Sequence, residues 1–276
     1  MASVPSYAPR GAAPAALQVR VNLGALPRRA AALAGATMGT TWSARLALPA
    51  GATDAMARQA IQAALDEVVA QMSTWEADAD ISQYNRAGPG WRELPAEFFH
   101  VLRHALALAQ DCGGAYDPTV GPLVNAWGFG PWQRAFEPPS PAAIDAARQR
   151  CGWQRVRLDE SRQAAWQPGG VYLDLSSIAK GYGVDRAAQA LDALGVTDYL
   201  VEVGGELRAR GLRPDGAPWR VAVEVPDGSD DHALALPLHD LSIATSGDYR
   251  RHAGDGDARY ALSLIHISEP TRPERI

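Results

Sequence analysis

Hydrophobic positions along the chain follow two periods, and the mixture of the two predicts the fold. Residues 40–48 alternate between apolar and polar and predict a strand. Met56, Ala60, Ile61, Ala64, Leu65, Val68, Val69 and Met72 recur at helical spacing, which predicts a helix over 54–72 with Thr53 or Asp54 as its cap. Residues 73–94 read as turns. A second helix is predicted over 96–109, ended by Gly113-Gly114. Residues 115–140, rich in Gly, Pro and aromatic side chains, read as an ordered loop, followed by a short helix over 141–150. Short strands are predicted at 154–158, 163–167 and 171–175, then a helix over 177–194 that stops at Gly195. Residues 199–203 and 206–210 predict a hairpin around Gly204-Gly205. Residues 220–225 alternate, and 234–238 with 241–245 predict another hairpin. Tight turns between neighbouring strands favour an α+β fold, with largely antiparallel sheets packed with helices, over a doubly wound sheet.

The two ends differ from the middle. Residues 1–36 are rich in Ala, Pro and Arg, and Arg20, Arg28 and Arg29 interrupt every apolar run. No apolar core of a secretory signal is present there, and no cysteine precedes Cys112 to carry a lipid. These residues are expected to form a flexible extension. Of the isoleucines, Ile265, Ile267 and Ile276 fall in the last 13 residues, against five in the preceding 263. That shift marks 264–276 as a non-native tail on a domain spanning 37–263.

Composition narrows the classes of function. A chain of 276 residues with 47% hydrophobic and 21% charged residues can bury a core and is not intrinsically disordered. A formal charge of −5 argues against a nucleic-acid-coating surface. No apolar run is long enough to span a membrane. Cys112 and Cys151 alone exclude a disulfide scaffold or an all-thiolate metal site. The 26 basic residues include a single lysine, Lys180. Where a bare cation suffices this chain uses Arg, so the one compact ammonium stands out.

Several common chemistries are missing. The chain has no phosphate-binding G-x-x-x-x-G-K-[ST] loop and no G-x-S-x-G elbow. His100 and His104 are separated by Val-Leu-Arg, without the glutamate of a zincin helix. The densest set of chemical groups is Val171-Tyr-Leu-Asp-Leu-Ser-Ser-Ile-Ala-Lys-Gly-Tyr-Gly183. Here a strand ends at Asp174 and a helix starts at Ser177, with Ser176 and Ser177 able to cap it. A helix N-terminus attracts anions, and Lys180 one turn in can reach the same anion. A capped helix with an exposed Asp–Lys pair explains the segment equally well on physical grounds.

Asp174-Leu-Ser-Ser-Ile-Ala-Lys-Gly-Tyr182 resembles the signature of the ApbE-type FAD:protein FMN transferases. Other segments resemble that family in the same order. They are Thr37-Met-Gly-Thr-Thr-Trp42, Met72-Ser-Thr-Trp75, Ile81-Ser-Gln-Tyr-Asn-Arg86, Gly114-Ala-Tyr-Asp-Pro-Thr-Val-Gly-Pro-Leu123, Trp127-Gly-Phe-Gly130, Val203-Gly-Gly-Glu206 and Ile243-Ala-Thr-Ser-Gly-Asp-Tyr-Arg250. The resemblance covers about residues 36–263.

The resemblance implies that Met38 contacts flavin, that Trp75 stacks on it, and that Ala115, Tyr116 and Asp117 clamp FAD. It implies FAD contacts for Asp174 and Lys180, a magnesium contact for Ser177, and hydrogen bonds from Thr245 and Ser246. No catalytic base is identified. The implied reaction cleaves the pyrophosphate of FAD, transfers FMN to a Thr or Ser hydroxyl of a target flavoprotein and releases AMP, with Mg2+ stabilising the charge. The implied partner is a subunit of a membrane redox complex, and the family commonly works in the periplasm or anchored to the inner membrane. FAD hydrolysis without an acceptor, and flavin binding without catalysis, remain alternatives. The family pattern of Ser-His-x-x-Asp-Pro is broken after Ser263, where Leu264 follows and His266 stands two residues late. The chain is therefore expected to be a truncated, weakly active or inactive flavin transferase.

Overall fold

The computed structural model describes residues 28–131, 138–224, 232–245, 252–253 and 260–261. Its main sheet starts with β1 (Arg29–Thr37) and β2 (Thr40–Leu48), paired antiparallel over their full length. The two residues between them, Met38 and Gly39, have φ of 49° and 68°. Two positive φ values in a two-residue loop match the right-handed twist of the flanking strands. β6 (Tyr199–Val203) pairs with β2, β7 (Glu206–Arg210) with β6, and β10 (Ser242–Ile243) with β7, giving the order β1-β2-β6-β7-β10. A smaller sheet has β3 (Gly90–Glu93), β5 (Ala164–Gln167) and β4 (Arg157–Asp159) in that order. β8 (Trp219–Glu224) pairs with β9 (His232–Leu238), and β11 (His252–Ala253) with β12 (Tyr260–Ala261). All these pairings are antiparallel, as the α+β reading requires.

The helices are α1 (Asp54–Met72), α2 (Asp80–Arg86), α3 (Ala96–Asp111), α4 (Gly121–Ala126), α5 (Pro141–Arg148) and α6 (Ser176–Ala193). Thr53 caps α1 by accepting from the Met56 N–H at 3.2 Å. Its apolar stripe buries Ala57, Ile61, Leu65 and Val68. One core joins Leu33, Trp42, Leu46, Ile61, Leu65, Leu191 and Tyr199 between the main sheet and α1 and α6. A second joins Val68, Met72, Ile81, Phe98, Leu102, Leu173 and Leu175. Leu207, Ala209, Trp219 and Leu238 form a third. Trp42 is fully buried and donates its indole N–H to Gln62 Oε1 at 2.8 Å, which satisfies its polar edge. Among the described residues no helix is long and apolar enough to cross a membrane.

Residues 115–140, read as a loop, contain α4, and the strand predicted at 154–158 is a 3-10 turn over Trp153–Arg155 followed by β4. Four further expectations need correction. Residues 29–36, placed in a flexible extension, form most of β1. Its run of alanines is apolar on both faces, so the two-residue period is hidden, and pairing with β2 fixes the register instead. Residues 73–94 contain α2 and β3 as well as turns. Residues 171–175 form no strand, because side-chain amides take their backbone groups. Asn85 accepts from the Leu173 N–H at 2.7 Å and donates to its carbonyl at 2.9 Å, and Gln167 donates to the Val171 carbonyl at 3.1 Å. The hairpin of 234–238 with 241–245 does not form. β9 pairs back on β8, while β10 joins the edge of the main sheet. Residues 1–27 and 264–276, with the tail boundary, lie outside the described residues.

Candidate functional site

α6 carries two groups of the expected residues, one at its start and one a turn further on. At the start, Asp174 fixes the entry. Its N–H donates to the Pro118 carbonyl at 2.8 Å, and its Oδ1 accepts from the Ser176 N–H at 2.9 Å. Neither Ser176 nor Ser177 caps the helix. Leu175 is the cap residue and has no side-chain acceptor to make a cap bond, and Asp174 serves the first N–H instead. Ser177 is thereby left exposed.

The loop that Asp174 holds brings Tyr116 and Asp117 to the same end of α6. Asp117 Oδ1 accepts from the Thr119 N–H at 2.7 Å and hydroxyl at 2.6 Å, and the Thr119 hydroxyl accepts from the Gly152 N–H at 2.7 Å. Asp117 therefore organises a turn. The Tyr116 hydroxyl is buried. Burial pushes this phenol above the usual tyrosine range, the Ser177 hydroxyl draws part of the shift back, and the carboxylates of Asp174 and Asp117 add to it. Ala115, next to it, is exposed.

The second group gathers around the turn between β6 and β7. The Lys180 ammonium lies 2.9 Å from Glu206 Oε1. The lysine side chain is 33% exposed and the glutamate 12%, so this pair is partly withdrawn from water. Lys180 is thus partly shielded, and its partner is Glu206. Gly204, at φ +57°, closes the turn where a Cβ would lie 2.8 Å from Thr40 Cγ2 and 3.4 Å from Lys180 Cδ. A side chain at 204 would therefore collide with Thr40, and the lysine stem lies against the turn at contact distance. A Cβ on Gly205 would lie 3.5 Å from Thr245 Oγ1, and the Gly205 N–H donates to Glu202 Oε1 at 2.7 Å.

Met38 borders this group. It is half-buried against both large cores, and it rests on Gly183 of α6, where a Cβ would approach Met38 Cε to 2.9 Å. Trp75 stands apart after α1, 49% exposed, with its N–H on Ser73 Oγ at 3.2 Å. A bare indole face of this kind suits stacking. Ser246 lies outside the described residues. Glu206 has no role marked by the sequence, since it lies 26 positions beyond Lys180 and no local pattern links the two.

Among the described residues no three His, Cys, Asp or Glu side chains converge on a point that could hold a metal. Ser177 offers one neutral hydroxyl, and Oδ1 of Asp174 and Oδ1 of Asp117 accept from N–H and O–H donors. Shallow concavities beside Arg58, Gln62 and Asp66, and beside Arg208, Arg210 and Asp240, share no residue with either group.

α6 thus carries Ser177 and Lys180, with the loop of Tyr116 and Asp117 at its start and the Gly204–Gly205 turn beside Lys180. The ApbE family model matches residues 38–272 of the chain. The FAD:protein FMN transferase of Haemophilus influenzae is 38% identical over 242 residues, covering 84% of this chain and 70% of that protein. The one of Vibrio cholerae is 38% identical over 243 residues, covering 87% and 71%. Among solved structures, flavin transferase ApbE from Vibrio cholerae superposes with a TM-score of 0.76 at 36% identity, covering 83% of this chain and 75% of that one. The apo flavinyl transferase ApbE of Pseudomonas stutzeri gives 0.76 at 34%, covering 85% and 73%. The chain belongs to the ApbE family.

Proposed function

We propose that this chain is an FAD:protein FMN transferase, as its relatives are named. The acceptor hydroxyl oxygen of the target bonds to the phosphorus of the FMN half of FAD. The bond from that phosphorus to the bridging oxygen breaks, AMP leaves with the electron pair, and the hydroxyl proton passes to a base or to water. Such reactions depend mainly on placement and on compensation of phosphate charge.

The observation that carries this reading is the convergence on one helix, α6, of residues from separate segments. Asp174 holds the loop of Tyr116 and Asp117 at the start of α6 through the Pro118 carbonyl, while Met38 packs on Gly183 and Glu206 pairs with Lys180. In this reading α6 orders the ligand along its length, and Trp75 supplies a face for the ring. The partner is a flavoprotein that presents a Thr or Ser, of the kind found in membrane redox complexes. Magnesium belongs to the proposal only as the ion that phosphoryl transfer commonly recruits. Loss of transfer in a chelator and its return with added Mg2+ would support that part.

The test is to incubate the chain with FAD and a flavoprotein subunit carrying an acceptor Thr, then examine flavin fluorescence in a denaturing gel. Fluorescence should stay with the target and disappear when its acceptor Thr is replaced by Val. Conversion of FAD to FMN and AMP with no fluorescent target would replace transfer by hydrolysis.

A further inference from the structure

The position of Lys180 one turn into α6 suggests an anion at the helix start as its partner, and the geometry speaks against that. Glu206 Oε1 already takes the ammonium at 2.9 Å. The second oxygen, Oε2, is buried and meets no donor among the described residues, so no competing cation or N–H draws this carboxylate away from Lys180. The lysine stem is held as well, packed over Gly204 beside Thr40. A phosphate approaching this ammonium would place a second anion against Glu206, and in a partly dehydrated site that repulsion is strong. A neutral acceptor meets no such penalty. The ammonium has three N–H donors, of which Glu206 Oε1 occupies one.

Resting on the flavin reading above, we infer that Glu206 is a positioning residue that neutralises and fixes Lys180, so that Lys180 donates to a neutral acceptor on a heterocycle and not to the pyrophosphate. Both ends of FAD offer such an atom, a ring carbonyl on the flavin or a ring nitrogen on the adenine. The shared chemistry is an uncharged sp² acceptor, and the two sources separate when each half is offered without phosphate.

Riboflavin, adenosine and inorganic pyrophosphate are the probes, titrated against the whole chain by calorimetry, with FAD as the control. Lys180→Met should weaken either riboflavin or adenosine roughly 10- to 100-fold, the loss of one charge-assisted hydrogen bond, and leave pyrophosphate unchanged. The nucleoside affected identifies the half that Lys180 reads. Glu206→Gln frees the ammonium, so pyrophosphate should bind more tightly while the same nucleoside weakens, a change of opposite sign that damage to the fold would not produce. If Glu206→Gln does not fold, Lys180→Met/Glu206→Gln removes both charges together and should reproduce the nucleoside loss. Weaker pyrophosphate in Lys180→Met with both nucleosides unchanged would overturn the inference and leave the flavin reading intact. Failure of the wild-type chain to bind FAD would overturn the flavin reading and this inference with it.

Discussion

Lys180 on α6 and Glu206 on β7 are joined by a 2.9 Å ion pair whose glutamate is 12% exposed. The pair ties the helix that carries Ser177 to the main sheet beside the Gly204–Gly205 turn. It has consequences for stability as well as for binding. Lys180→Met leaves a withdrawn carboxylate without its cation. Breaking a fully buried pair costs about 3–5 kcal/mol, and the partial exposure of Lys180 lowers this to about 1–3 kcal/mol. Urea denaturation should show that loss, and adding Glu206→Gln should restore most of it, because no uncompensated charge remains. No recovery in the double variant would show that the lysine stem, and not its charge, holds the two elements together.

Gly183 tests the seat of Met38. A Cβ at 183 would meet Met38 Cε at 2.9 Å and Leu65 Cδ2 at 3.3 Å, and the methionine end is free to move aside. Gly183→Ala gains helix propensity and loses packing, so stability should change by less than about 1 kcal/mol. FAD affinity should still fall, since Met38 must leave its place on α6. Unchanged FAD affinity by fluorescence titration would remove Met38 from the ligand site.

Much of this arrangement was legible in the chain itself, for reasons particular to each element. The bounds of α1 were readable, because its stripe from Ile61 to Met72 is apolar and one-sided, while the cap stood open between Thr53 and Asp54 and proves to be Thr53. β1 was not, because alanine gives no contrast between faces. The 171–175 segment has the composition of a strand, but Asn85 and Gln167 satisfy its backbone from a distance, and no local pattern encodes that. For the site, the single lysine marked Lys180, and the local motifs marked Asp174, Ser177 and Tyr116. What could not be read was which groups meet. Asp174 serves the helix start, and Glu206 takes the ammonium.

Trp75 is separable from the fold. It is 49% exposed, so Trp75→Ala should change stability by no more than about 0.5 kcal/mol. Loss of aromatic stacking worth about 0.5–1.5 kcal/mol should weaken FAD about 2- to 10-fold. Equal affinity of variant and wild type would place the flavin ring elsewhere.

Alkaline stability follows from buried phenols. Burial, with the Asp192 carboxylate beside it, pushes Tyr199 up to about 12, and burial also raises Tyr84 and Tyr116. In the unfolded chain these groups ionise near pH 10. The folded state therefore holds more protons between about pH 10 and 12, and stability, complete below pH 10, falls as pH rises through that window. Each such tyrosine contributes up to about 1.4 kcal/mol per pH unit there. Denaturation at a series of pH values should show this fall, with a shallower slope in Tyr199→Phe. A flat profile to pH 12 would contradict the burial of these hydroxyls.

The most direct measurement compares AMP released with FMN covalently attached to an acceptor flavoprotein, in one reaction containing this chain and FAD. Chromatography quantifies the nucleotide and intact-protein mass the adduct. Transfer on α6 requires the two amounts to be equal, and both to vanish when the acceptor hydroxyl is removed. AMP accumulating with free FMN and no adduct, at the same rate with or without the acceptor, would contradict it.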